Sequence, residues 1–174
     1  ITDWVYEEEF GFVRAFDWSN DSKQIVYMRF DESNVPIFSM DIYGNKNYPF
    51  PYMFRYPKAG EENSKIELIL YDISSRTKDH IGFNNYSPYY IPRIKFIGGE
   101  NSLIIQTLNR YQNELKIWRW DTRKKNLQLL LSEYDKAYIS IKDELFLQKS
   151  ALFNYCQEIP EEYELYGKLL EDEY

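Results

Sequence analysis

The sequence predicts an all-β chain built of β-propeller blades, each of four antiparallel strands, in a partial set of about two to three, with a short helical acidic segment at the start. Two observations carry this. The pattern strand, turn, strand occurs over residues 16–30 and returns over residues 91–110, each time as β-branched and aromatic runs parted by a polar turn. The 45 positions from Phe96 to Ile141 (141 minus 96) match a blade, whose usual repeat is about 40–45 residues. The 78 positions from Trp18 to Phe96 (96 minus 18) are too many for one blade unless residues 44–64 are an insertion. A two-sheet sandwich would use the same strands but leave the repeat unexplained.

Taken in order, the chain opens on Asp3-Trp4-Val5-Tyr6-Glu7-Glu8-Glu9-Phe10. Three adjacent carboxylates between aromatic anchors describe a site for an ammonium group. They equally describe the acidic first turn of a helix, which its dipole favours. Next come Phe16-Asp17-Trp18, the turn signal Asn20-Asp21-Ser22 and the run 24–30, read as two antiparallel strands joined by a hairpin. A third run, 35–43, carries Pro36 near its start, which suits a strand lying outside the first two.

From residue 44 to 64 the periodicity fails and Tyr, Pro, Asn and Lys dominate. A connector this long and aromatic reads as an arm with Tyr48, Phe50, Tyr52, Phe54 and Tyr56 available to a partner, or as a flap folded back on its own sheet. Strand character returns over 65–72, followed by a polar turn at 74–78. A second blade then follows, with strands over 90–96, 102–110, 114–121 and 126–131, the first pair joined at Gly98-Gly99-Glu100-Asn101. A third unit opens at 137–147 and decays into an acidic tail. The expected division is therefore an acidic segment at 1–15, a first blade at 16–82 with the arm inserted at 44–64, a second blade at 83–135, and a truncated blade with a divergent tail at 136–174.

Composition excludes several functions. With 44% hydrophobic residues in 174, the chain can bury a core. A net charge of -7 argues against tracking nucleic-acid phosphates and favours a cationic ligand. One cysteine, Cys156, cannot form an internal disulfide, and one histidine, His80, cannot build a multi-histidine metal site, so neither a metal nor a cofactor is expected. No apolar run is long enough to span a bilayer, and no signal peptide opens the chain, which reads as a piece of a longer one.

Residues 3–9, Val35-Pro36, the stretch Arg55-Tyr56-Pro57-Lys58-Ala59-Gly60 and the stretch from Gln106 to Asn113 together resemble the N-terminal propeller of dipeptidyl peptidase IV, in the prolyl oligopeptidase family, over about residues 1–148. The resemblance implies a parent enzyme that joins an eight-bladed propeller to an α/β-hydrolase domain and releases dipeptides from peptides with proline or alanine second. It implies that Glu8 and Glu9 grip the substrate's free amino terminus, with Glu7 outside the clamp, and that the aromatic arm contributes to dimerisation. It also implies a periplasmic or exported parent. Two carboxylates can share an ammonium's three donors, and burial would strengthen the contact.

No serine lies in a Gly-x-Ser-x-Gly elbow, and His80, between blades, reads as a turn or surface residue, so no catalytic residue is assigned and the chain alone is expected to be inactive. Asp17 departs from the family pattern, which has an apolar residue there. The Arg123-Lys124-Lys125 turn reads as solvated, and nothing after Ser150 matches the family's next strand. Self-association through the arm or through open blade edges is expected. A non-enzymatic interaction module, or an inactive truncated product, is the alternative.

Overall fold

The computed structural model describes residues 3–97 and 102–141. One helix, α1 (Trp4–Phe10), precedes ten strands: β1 (Phe16–Trp18), β2 (Gln24–Asp31), β3 (Ile37–Ile42), β4 (Phe50–Arg55), β5 (Lys65–Asp72), β6 (Thr77–His80), β7 (Tyr90–Phe96), β8 (Ser102–Leu108), β9 (Glu114–Asp121) and β10 (Asn126–Tyr134). They form two four-stranded antiparallel sheets, β1-β2-β5-β6 and β7-β8-β9-β10, and a separate two-stranded sheet, β3-β4. No helix among the described residues is long and apolar enough to cross a membrane.

Each four-stranded sheet is a propeller blade, and register explains its core. Val26 faces Leu70 and Met28 faces Leu68 across β2 and β5, so the four side chains share one face. In the second blade Leu103 pairs with Trp120 and Ile105 with Trp118, again on one face. These residues join Ile81, Phe83, Leu108 and Leu115 in a single buried cluster. Every residue of β8 is buried, Ser102, Gln106 and Thr107 included, so this strand is covered on both faces.

Asp17 explains its own departure from the apolar pattern. Its Oδ2 accepts a 2.8 Å hydrogen bond from the Phe96 amide, linking the β1 and β7 strands of the two blades, while Arg14 lies 3.6 Å from Oδ1. Lys125 Nζ, 2.9 Å from Asp79 Oδ1, makes a second link between the blades. Both blades also close their last hairpin alike: Asp72 accepts from the Ser75 amide at 2.9 Å, and Asp121 from the Arg123 and Lys124 amides at 2.9 Å. Arg76 and Lys125 hold the matching left-handed position, with φ of 56° and 52°.

Three sequence expectations need correction. The 35–43 run does not extend the first blade; β3 pairs with β4, so the projecting hairpin includes residues assigned to a blade strand and contains a strand where periodicity fails. The blade takes its fourth strand from Thr77–His80 instead, so His80 is the surface residue expected, at the end of a strand where a turn was the other reading. A strand this short and polar carries no alternation to reveal it. In the third unit, the described residues 137–141 form no strand. The Gly98–Asn101 turn, Cys156 and the rest of that unit and tail lie outside the described residues.

The paired turns give an acid-stability prediction. Backbone amide donors hold the Asp72 and Asp121 carboxyls below the usual range. A depressed folded value contributes stability above the unfolded value that is lost as pH falls through the folded one. The Asp72→Asn/Asp121→Asn variant should therefore show a shallower loss of melting temperature than the parent below about pH 4, and an unchanged slope would contradict the assignment.

Candidate functional site

The acidic segment is a helix because its ends are capped and one face is apolar. Asp3, itself buried, has extended backbone geometry, and its Oδ1 accepts from the Val5 amide at 2.9 Å and the Tyr6 amide at 3.3 Å. Such a cap contributes about 1 kcal/mol. Gly11 ends the helix in the left-handed region at φ 62°. Tyr6 and Phe10, four apart, share the inner face, which turns Glu7, Glu8 and Glu9 outward.

Tyr6 ties this helix to the blades. It is 1% exposed, and its ring lies 5.0–5.3 Å from those of Phe10, Phe12 and Phe30 and 6.2 Å from Tyr90. Its hydroxyl accepts a 2.8 Å bond from the Ile91 amide at the start of β7. Burial pushes the phenol well above its ordinary pKa, so it stays neutral. Arg93 donates to the Phe10 carbonyl at 2.9 Å, fastening the last turn. On the other side, the Trp4 ring is 5.3 Å from both Phe54 and Tyr56, which rests the helix against the foot of the hairpin.

Glu8 and Glu9 are both exposed, so the enhancement by burial expected from sequence does not arise within this chain. Among the described residues no lysine or arginine pairs with either. Glu9 Oε1 instead accepts a 2.8 Å hydrogen bond from Gln112 Nε2, on the turn between β8 and β9. Close by, Asn63 Nδ2 donates to the Tyr90 hydroxyl at 3.1 Å, and the Tyr90 phenol is pushed up mainly by burial and also by the Glu9 charge. Arg110 lies 5.0 Å over the Tyr89 ring and donates to its hydroxyl at 2.7 Å and to the Glu61 carbonyl at 3.0 Å. The exposed Glu8 and Glu9 thus form an acidic rim, with Glu9 near enough to act on the Tyr90 phenol and the Arg110 guanidinium seated on the neighbouring Tyr89 ring.

The five arm aromatics divide. Phe54 and Tyr56 fold back on Trp4 and Phe38, whereas Tyr48, Phe50 and Tyr52 are 82%, 48% and 54% exposed. The pairs Met40–Tyr52 and Ile42–Phe50 continue the same hairpin face outward from Phe38–Phe54. Gln112, Tyr90, Asn63 and Arg110 had no assigned role in the sequence reading, although the 106–113 stretch contributed to the resemblance. Gln112 meets Glu9, and Asn63 and Arg110 meet Tyr90 and Tyr89, through contacts between residues far apart in the chain, which spacing cannot show.

Two packed four-stranded antiparallel blades carrying this capped acidic helix define a partial β-propeller. The sequence profile described as "Dipeptidyl peptidase IV (DPP IV) N-terminal region" matches residues 1–163, continuing past Ser150, and the chain belongs to that family. It is 32% identical over 151 residues to a probable dipeptidyl-aminopeptidase B of Pyrenophora tritici-repentis, covering 76% of this chain and 17% of the relative. It is 33% identical over 122 residues to the mouse prolyl endopeptidase FAP, covering 65% and 16%. The crystal structure of Porphyromonas gingivalis dipeptidyl peptidase 4 superposes with a TM-score of 0.73 at 40% identity, covering 79% of this chain and 20% of that one. The chain thus spans a fifth or less of the length of these relatives.

Changing Tyr6 to Phe leaves the buried Ile91 amide without its acceptor. Urea denaturation should show a loss of about 1–3 kcal/mol; no loss would mean that the hydroxyl does not secure the helix.

Proposed function

We propose that this chain is the substrate-recognition part of a dipeptidyl-peptidase-IV-like serine exopeptidase, in which Glu8 and Glu9 bind the free amino terminus of Xaa-Pro or Xaa-Ala peptides. The observation that carries the proposal is the outward pair of carboxylates, lacking a cationic partner among the described residues, on a helix fixed at both ends. The names of the relatives, dipeptidyl-aminopeptidase and dipeptidyl peptidase, support the substrate class.

The chemistry follows from charge and donor count. A peptide ammonium offers three N–H donors to two carboxylates, and acetylation removes both its charge and two of those donors. Held at its amine, a peptide presents bonds to a nucleophile at a fixed distance from that end, which makes release of a dipeptide a matter of length. No Gly-x-Ser-x-Gly elbow occurs among these 174 residues, so bond cleavage belongs to machinery outside them. Solvent sets the strength. A unit charge pair at 4 Å is worth about 1 kcal/mol in water and about 4 kcal/mol where the effective dielectric falls to 20. Binding by this chain alone should therefore be weak and salt-sensitive, with tight binding left to a parent that desolvates the rim.

The outer part of the hairpin supports self-association in the same assembly. Met40, Phe50 and Tyr52 are exposed on one face, and large apolar and aromatic residues of this kind supply interface anchors.

Titration of Ala-Pro-Ala at low ionic strength should show binding that N-acetylation or Glu8→Gln/Glu9→Gln weakens about tenfold or more. Equal affinity for the free and acetylated peptides would contradict the amine site. In sedimentation at high concentration the chain should associate, and Phe50→Ser/Tyr52→Ser should shift it toward monomer; a monomer throughout would remove the role given to the arm.

A further inference from the structure

We infer that Gln112 is a positioning residue for the amine clamp, holding the Glu9 carboxylate in its receiving orientation; this rests on the amine-binding proposal for Glu8 and Glu9. An exposed glutamate on a seven-residue helix would ordinarily sample several rotamers. Glu9 is restrained by the 2.8 Å donation from Gln112 Nε2. Glu8 has no such contact among the described residues, so the two acids of the pair are not equivalent.

The turn that delivers Gln112 is built with unusual care for a surface loop. Asn109 Oδ1 accepts from the Asn113 amide at 3.1 Å and the Glu114 amide at 3.2 Å, and Asn109 Nδ2 donates to Asn113 Oδ1 at 2.8 Å. The Gln112 amide donates to the Asn109 carbonyl at 3.1 Å, and the Gln112 carbonyl accepts from the Ile139 amide at 2.9 Å. Gln112 itself stands at φ 54°, a left-handed conformation that glycine or asparagine would hold with less strain. Strain of this kind persists where surrounding contacts over-determine it.

The other end of the amide adds no stabilising bond: among the described residues Gln112 Oε1 is buried with no hydrogen-bond partner, and a buried acceptor left unsatisfied is destabilising. A methionine would fill the same space with neither the orphaned oxygen nor the donor. Structural and positioning roles consequently predict opposite outcomes for one substitution.

The test is Gln112→Met in the full 174-residue chain, with Ala-Pro-Ala and its N-acetyl form as probes. Positioning predicts an unchanged or higher melting temperature together with roughly fivefold weaker binding of the free amine, and no further loss when the substitution is made in Glu9→Gln. Gln112→Lys, which sets an internal ammonium beside Glu9, should abolish discrimination between the two probes. A lower melting temperature for Gln112→Met with unchanged affinity, or an equal loss of affinity in the Glu9→Gln background, would overturn the inference. If the parent chain discriminates between the probes and Gln112→Met does so equally well, only the positioning role fails; if the parent does not discriminate, the amine proposal fails with it.

Discussion

The bond from the Ile91 amide to the Tyr6 hydroxyl, sealed inside a cluster of aromatic rings, is the constraint on which the site depends. A seven-residue helix has too few internal hydrogen bonds to stand alone, because nucleation costs more than so short a run returns. Its geometry must come from tertiary contact. Tyr6 supplies apolar area and an acceptor from one side chain, and Arg93 secures the last turn at the Phe10 carbonyl. With the inner face fixed at Tyr6 and Phe10, the three acids between them have only the outer face to occupy. The Glu8 and Glu9 directions are thus a consequence of what is buried beneath them.

The helix also connects parts of the chain that do not adjoin in sequence. Trp4 rests on Phe54 and Tyr56 at the foot of the hairpin, and Glu9 meets Gln112 from the second blade. Arg110 bridges from that blade to the Glu61 carbonyl, on the segment that returns from the hairpin to β5. The acidic rim is therefore sensitive to the seating of both the hairpin and the blade pair. Asp17 contributes here by fastening β1 to β7, the strand that also carries the Ile91 amide. A position that looks like a defect against the apolar family pattern is a polar latch between blades.

Much of this was legible in the sequence, for identifiable reasons. The strands β2, β5, β8 and β9 carry long apolar or alternating runs, so periodicity finds them, and the acidic first turn after Asp3 announces a helix through its dipole. β6 escaped because Thr77-Lys78-Asp79-His80 has no apolar face. β4 escaped because Pro51 and a run of aromatics obscure alternation in a hairpin whose one face is apolar and whose other is mixed. The candidate acids were found from composition and resemblance, but their exposure was not, since an acid between aromatics reads the same whether its helix faces in or out. Gln112 needed three-dimensional contact to be seen, because nothing local distinguishes it from any glutamine in a polar turn.

Amide hydrogen exchange tests the central claim most directly, by asking whether the acidic helix opens with the blades or independently of them. If Tyr6 binds it to β7, the amide of Ile91 and the hydrogen-bonded amide of Glu7 should exchange at rates close to those of the buried strand β8. Exchange of the Glu7 amide at the rate of an unfolded chain, with β8 protected, would show a helix that is not held, and with it the loss of any fixed direction for Glu8 and Glu9.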